Sequence, residues 1–362
     1  MMRERGHEQG LFSLEEAPTG LCPWSRSFAY AWPASSLQRR RDFHGFHPPL
    51  ARALEEAVRE FRPQVVQVQN LAAFRTTVFR TLGRLAVPVL MTVHDYSLGD
   101  PNPHGLDRSG PLGLARRLLD RWGLIRARRE VFRTVDRFLC PTEALRRGLG
   151  LPPERSVLLR LPLEPAPAAP FEDPGGPLRL FFAGTLYRSK GVDVLLEALA
   201  RTRGPAGGAL LRIAGSGDQE EALRARAQEL GLGERVCFLG FQDAAAMDRQ
   251  YAWAHLQVLP SRVPENSPLT VLEAAARGRP ALAPHAGGVP ELLEPPQRGW
   301  TFPPEDPRAL ASALEEAAAD REEIQRRGAR ARDWVRREFD PHRHWDALEA
   351  HWRELAAGGA AR

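Results

Sequence analysis

Of the fifty Lys and Arg residues in this 362-residue chain, forty-nine are Arg, and the single lysine is Lys190. It lies in Phe181-Phe182-Ala183-Gly184-Thr185-Leu186-Tyr187-Arg188-Ser189-Lys190-Gly191, where an apolar strand turns through glycine-flanked polar residues into a helix. A chain that uses Arg nearly everywhere and keeps one ammonium in such a turn suggests a need for a compact point charge, as at a phosphate. A surface lysine left by chance is the alternative. A second segment, Pro264-Glu265-Asn266-Ser267-Pro268-Leu269-Thr270-Val271-Leu272-Glu273, followed by Ala-rich sequence to Gly278, also carries chemistry. Ser267 suits an N-cap, Pro268 the first helical position and Gly278 the residue past the end. The first-turn amides of Leu269, Thr270 and Val271 then lack helical partners and form an anion site with the helix dipole. Glu273 falls on the face of Leu269 and Thr270, and Glu265 in the preceding loop. Two carboxylates flanking such a site can grip sugar hydroxyls on either side of a phosphate. On residues alone, they are equally a helix-surface acid and a loop acid. His94, at a strand end, reads by itself as structural more readily than catalytic. The other nine histidines, including His44, His47 and His104, carry no assignment.

The elements that must position these groups recur as short apolar runs with helical stretches between them, the pattern of βα units and parallel sheets. In the first half the runs are Val65 to Val68, Val87 to Val93, Arg137 to Cys140 and Val157 to Leu161. In the second they are Leu178 to Ala183, Leu210 to Ala214, Val236 to Leu239, Leu256 to Leu259 and Pro280 to Ala283. A Pro-rich stretch from Pro162 to Pro170, with Pro174 to Pro177 after it, resists both helix and strand and reads as a linker. After Pro307 the chain is almost wholly helix-forming and ends in a segment with Trp334, Phe339, Trp345 and Trp352 that must dock to bury its aromatics. Met1 to Gly10 is polar and leads to a brief Leu11-Phe12 run, so an opening strand is not expected.

Length fits two domains of ordinary size. Cys22, Cys140 and Cys237 are far apart, with no C-x-x-C pair, so neither a disulfide framework nor a zinc site is indicated. A reducing cytoplasm is expected, and no apolar run reaches membrane-span length. Net charge is +5, but eight arginines crowd between Arg116 and Arg137. That segment reads as a basic amphipathic helix that buries Leu118, Leu119, Trp122, Ile125 and Val131 and keeps Arg116, Arg117, Arg121, Arg128 and Arg129 wet. Such a helix is either a solvated arginine face or a peripheral contact with an anionic membrane surface. No recognised nucleic-acid motif accompanies the charge. Gly215-Ser216-Gly217-Asp218-Gln219-Glu220 lacks the third glycine of a dinucleotide fingerprint, and Ser189 before Lys190 is not the glycine of a P-loop.

Gly184 to Gly191, the pair Glu265 and Glu273, and Ala286-Gly287-Gly288-Val289-Pro290-Glu291 resemble the retaining glycosyltransferases of family 4, also called glycosyl transferases group 1. Val93-His94-Asp95, and Val65 to Gln69 before Asn70, resemble the first half of that family. The resemblance runs from about Arg5 to the C-terminus and implies an α/β chain of two facing Rossmann-like domains (GT-B type). These are a first, acceptor-side domain over residues 1–165, a nucleotide-sugar-binding domain over 172–338, and a C-terminal helix, 339–362, returning to the first. It implies that Lys190 contacts the donor pyrophosphate with the amides near Leu269 and Thr270. Glu273 would bind the ribose, Glu265 the donor sugar, and the strand around Phe238 and Leu239 would lie near the base. His94 would face the donor sugar across the cleft, with Lys190, Glu265 and His94 the catalytic set and Gly184, Thr185, Arg188 and Gly215 further donor-binding positions.

The activity so implied is a hexosyltransferase acting on a nucleoside-diphosphate sugar and an undetermined hydroxyl acceptor in a glycan, glycolipid or small molecule. It would work in the cytoplasm or at the inner face of the membrane, without cofactor, metal or nucleic acid. A cation beside the leaving diphosphate makes such a reaction coherent, and the sequence has no D-x-D of the metal-dependent architecture. Retention would follow from same-face attack, a donor phosphate oxygen helping to deprotonate the acceptor. Three departures stand out. Thr185 replaces an arginine common after the first glycine of the lysine turn, leaving Arg188 as the nearby substitute. Gln67 and Gln69 stand where many members have a histidine. By that resemblance about twenty residues, a strand, a glycine-rich loop and most of a helix, are expected to be missing before Arg5-Gly6-His7-Glu8, through a start assigned too late or a natural truncation. That last departure keeps open an impaired or non-catalytic sugar-nucleotide-binding homologue, beside a sugar-nucleotide epimerase of similar architecture.

Overall fold

The structure, a computed structural model, describes residues 7–8, 10–13, 26–29, 46–69, 71, 74–99, 111–166 and 175–359. Cys22, His44, Asn70, His104 and the linker residues 167–174 lie outside them, as do the side chains of Arg116, Arg117, Leu118 and Leu119.

Two parallel sheets organise the chain. The first half contributes β1 (Gly10–Ser13), β2 (Arg26–Ala29), α1 (Pro48–Phe61), β3 (Val66–Val68), α2 (Arg75–Leu85) and β4 (Val89–Thr92). It continues with α3 (Pro111–Thr134), β5 (Arg137–Cys140), α4 (Glu143–Gly148) and β6 (Ser156–Leu158). Strands β3 to β6 pair side by side in chain order. Leu11 and Phe12 do fall in a strand, β1, but it pairs with β2 in a separate two-stranded sheet. Among the described residues, none precedes Val66 in the four-stranded sheet. Val89, Met91, Phe138 and Cys140 are buried with Leu50, Val78, Phe79 and Val131 in the core of this half. His47, left without a role by sequence, caps α1 by accepting from the Leu50 amide.

The second half runs β7 (Arg179–Ala183), α5 (Val192–Arg201), β8 (Leu210–Ala214), α6 (Glu220–Glu229), β9 (Val236–Gly240), α7 (Ala244–Trp253) and β10 (Leu256–Val258). Then come α8 (Leu269–Ala276), β11 (Ala281–Pro284), α9 (Val289–Leu293), β12 (Gly299–Phe302), α10 (Pro307–Ala319), α11 (Arg321–Glu338) and α12 (Pro341–Gly359). Its sheet is ordered β12-β11-β10-β7-β8-β9. Alternation in β7 sends Leu180 and Phe182 to a core with Leu195, Leu211, Ile213 and Leu314, and Phe181 and Ala183 to the opposite face with Tyr251 and Ala274. Both faces are covered, as a parallel sheet requires. Strand β12 was not anticipated. Helix α12 lies on the first sheet, where Leu348 packs against Leu90 and Leu139, and the Trp352 indole donates to Gln67 Oε1 at 3.0 Å.

Helix α3 departs from expectation. Its buried side chains among the described residues include Leu124, Ala127, Val131 and Thr134, spaced at three, four and three, the period of a helix face, with Gly123 buried beside them. Val131 is in the core as expected, but Trp122 and Ile125 are 61% and 59% exposed. Arg128, expected wet, is half-buried and donates to the carbonyls of Leu98 and Leu149. Local apolar spacing suggested one stripe, and packing against α2 selected the adjacent one. No helix among the described residues is long and apolar enough to cross a membrane.

Candidate functional site

The sheet of the second half leaves β7 in two directions, through β8 to β9 and through β10 to β12. The loops after β7 and β10 therefore diverge at a topological switch point, where open α/β sheets form their ligand crevice. Lys190 follows β7 and Glu265 follows β10. Glycine lets the strand ends close up here. Gly215, at φ +129°, leaves 1.9 Å between the position of a Cβ and the Gly184 carbonyl oxygen, and its amide donates to the Gly240 carbonyl at 2.8 Å. Gly184, Gly215 and Gly240 thus line up at the carboxyl ends of β7, β8 and β9.

Lys190 ends a single 3-10 turn, Arg188–Lys190, and Gly191 takes the left-handed conformation that starts α5. A Cβ on Gly191 would sit 2.1 Å from the Pro260 carbonyl oxygen, so the turn is seated on the end of the β10 loop. The Arg262 amide donates to the Ser189 carbonyl at 2.8 Å, and the Arg262 guanidinium forks onto Asp193 at 2.6 and 2.7 Å. That framework brings Lys190 Nζ to 2.7 Å from Glu265 Oε1, both side chains partly buried. Ser261 Oγ donates to the same Glu265 oxygen at 2.9 Å. Sequence reasoning missed Ser261, though it lies four residues before Glu265 in the same loop. The Arg188 side chain is exposed, as is Thr185, while the Arg188 carbonyl accepts from Arg262 Nη1 at 2.9 Å.

Helix α8 begins one residue later than expected. Pro268, with ψ 116°, is the N-cap and makes no side-chain bond, so Ser267 is not the cap. The reason is local, since proline fixes φ but leaves ψ free to stay extended. The amides of Val271 and Leu272 bond to the Pro268 carbonyl, which leaves those of Leu269 and Thr270 at the head of the helix. The three first-turn amides expected to lack helical partners become two. Leu269 is 56% exposed. Glu273, one turn on, accepts at Oε2 from the Tyr251 hydroxyl at 3.0 Å. Burial, and then the Glu273 carboxylate, hold the Tyr251 phenol well above its usual range, so it stays a donor. In β9, Phe238 and Leu239 are half-buried, and the Arg224 guanidinium lies 4.5 Å from the Phe238 ring centre.

From the first half, His94 follows β4, and its Nε2 lies 2.9 Å from Gln69 Oε1. Burial lowers its pKa below the ordinary histidine value, against the smaller opposing pull of Asp95. Asn266, next to Glu265, ties the halves together: its Nδ2 donates to the His94 carbonyl at 2.9 Å, and its Oδ1 accepts from Thr142 Oγ1. Glu291 makes a second tie by accepting from the amides of Glu143, at 3.0 Å, and Ala144, at the start of α4. A carboxylate at a helix start meets unpartnered amides and the positive dipole end. Gly288 permits this approach, since a Cβ there would lie 2.0 Å from the Asn266 carbonyl oxygen and 2.7 Å from Thr142 Cγ2. Sequence flagged Glu291 within a motif without a role, and gave no role to Asn266 or Thr142.

The structure thus joins Lys190 with Glu265, places Glu273 in the helix that follows Glu265, and connects His94 to the same loop through Asn266. The family model described as Glycosyl transferases group 1 matches residues 168–334, and that described as Glycosyltransferase Family 4 matches residues 1–159. A GDP-mannose-dependent alpha-(1-6)-phosphatidylinositol monomannoside mannosyltransferase from Mycobacterium tuberculosis is 30% identical over 49% of this chain and 46% of its own length. A glycogen synthase from that species is 34% identical over 46% of this chain and 40% of its own. The chain therefore spans less than half the length of these relatives. Among solved structures, Anabaena HepE in complex with UDP superposes with a TM-score of 0.73 at 17% identity, over 96% of this chain and all of that one. Sucrose-phosphate synthase from Thermosynechococcus elongatus also gives 0.73, at 20% identity, over 99% of this chain and 91% of that one. The fold is two Rossmann-like α/β domains of GT-B type, and the chain belongs to the family 4, group 1 glycosyltransferases.

Proposed function

We propose that this chain is a retaining, metal-independent hexosyltransferase that moves a sugar from a nucleoside-diphosphate sugar to a hydroxyl acceptor. The observation that carries the reading is the Lys190–Glu265 pair at the switch point, beside the start of α8. In this reading Lys190 exchanges its carboxylate partner for the donor diphosphate. Its ammonium and the Leu269 and Thr270 amides then offset the negative charge that grows on the leaving group as the sugar–oxygen bond breaks. Glu265, held by Ser261, is freed to accept from sugar hydroxyls, and Glu273, oriented by Tyr251, accepts from the ribose. Gly184 and Gly215 let the diphosphate approach the main chain, with Thr185 and Arg188 at the rim and Phe238 and Leu239 toward the base. His94 is mainly neutral at pH 7 and presents its ring from the acceptor side. The donor phosphate oxygen takes the acceptor proton on the face the leaving group departs, so configuration is retained.

Support for the donor class comes from the named relatives, one a GDP-mannose-dependent enzyme and one a structure with UDP. We place the reaction in the cytoplasm, where the exposed free thiol of Cys237 stays reduced. The test is release of nucleoside diphosphate from a panel of nucleoside-diphosphate sugars, with chelator present and with Lys190→Ala as control. Turnover that survives chelation and disappears in the variant supports the reading. Donor binding without turnover for any acceptor favours a non-catalytic homologue, and an altered sugar without transfer an epimerase. The anomeric configuration of the product, read by NMR, tests retention.

A further inference from the structure

We propose that the outer face of α3, with the arginine-lined cavity between α2 and α3, docks on an anionic lipid bilayer. Trp122, Arg126, Arg129 and Arg133 are spaced at four, three and four, so they form one narrow stripe along the helix. All four are exposed. Ile125, 59% exposed, flanks the stripe, and the Arg126 guanidinium lies 4.8 Å from the Trp122 ring centre. Arg121, Arg126 and Arg129 form no ion pair among the described residues. Arg133 pairs with Glu130 at 2.6 Å and also lines an open cavity of about 320 Å³ with Arg80, Gly83, Arg84 and Thr134. Phe46, 36% exposed, lies within 5.3 Å of Arg80 and 5.8 Å of Arg84, measured from ring centre to guanidinium.

Trp122 and Ile125 set two large apolar side chains one turn apart, both exposed, beside arginines unpaired among the described residues. Arginine excess around apolar side chains complements a surface that is anionic outside and apolar beneath. An indole settles at the headgroup level, while arginine stems lie along apolar surface and their heads reach phosphate. The cavity holding Arg80, Arg84 and Arg133 is then placed for a lipid phosphate. The proposal does not rest on the transferase reading, and none of its residues is assigned to the donor site.

The full chain should cosediment with vesicles of phosphatidylcholine mixed with phosphatidylglycerol about tenfold or more better than with phosphatidylcholine alone, and added salt should weaken that binding. Trp122→Ser with Ile125→Ser, and separately Arg126→Glu with Arg129→Glu, should each reduce it by about tenfold, with unchanged melting temperature and unchanged donor turnover. Lipids brominated on the acyl chain should quench tryptophan fluorescence, and Trp122→Phe should abolish that quenching. Absence of vesicle binding, equal binding to both vesicle types, or binding that both folded double variants retain would overturn the proposal.

Discussion

In the second half, the loops leaving β7, β8 and β10 are fixed to one another by main-chain contacts: Gly215 against Gly184, Gly191 against Pro260, and the Arg262 amide on Ser189. In the first half, the facing groups are reached through side chains from across the cleft, Asn266 onto His94 and Thr142, and Glu291 onto the start of α4. Main-chain seating leaves little freedom, because an added Cβ has nowhere to go. Side-chain ties can break and reform without unfolding either sheet. On the proposed function, the difference predicts rigid donor-site geometry in the second half and adjustable closure in the first.

The contrast breaks most visibly at Gly215. Gly215→Ala should destabilise the second half by roughly 3–5 kcal/mol, since a Cβ meets main chain and φ is left-handed. A denaturant unfolding curve checks this, and near-wild-type stability would show that the strand ends are not fixed. Glu291→Ala should cost roughly 1–2 kcal/mol of closure while each half stays folded. Small-angle scattering should report a more open average shape, and donor KM should rise more than kcat falls.

A pH effect sharpens the comparison on the first-half side. His344, bonded to the Arg160 carbonyl at 2.8 Å, and His351, 2.8 Å from Arg137, hold α12 against the first half. Burial lowers both below the ordinary value of 6.5, helped at His351 by Arg137. The unfolded chain then binds more protons just below pH 6.5, so this stability is complete above that pH and declines as pH falls through the lowered values. Glu354, lowered chiefly by its bond to Arg137, acts in the same direction but in the carboxylate range. Melting followed from about pH 7 to about pH 5.5 should decline less in His344→Gln with His351→Gln. An identical slope would remove α12 as the source.

Much of this architecture was legible because period-two and continuous apolar runs mark buried parallel strands, and all nine runs read from sequence overlap a strand. Strand β12 escaped because Gly299 and Thr301 leave Gly299-Trp300-Thr301-Phe302 without a continuous apolar run. The stripe on α3 was misread since Trp122 and Ile125 fit a helical period equally well on a face the fold leaves open. Lys190 and Glu265 stood out by type and spacing. Asn266 and Glu291 gave no such signal, because their partners lie 124 to 172 residues away and only folding makes them neighbours.

The central claim is that Lys190 and the head of α8 hold one diphosphate. Calorimetric titration of UDP and GDP into the wild-type chain and into folded Lys190→Ala and Glu273→Gln tests it most directly. Wild type should bind at least one of the two nucleotides, with each variant weakened about tenfold or more. Undiminished affinity in Lys190→Ala would contradict the account.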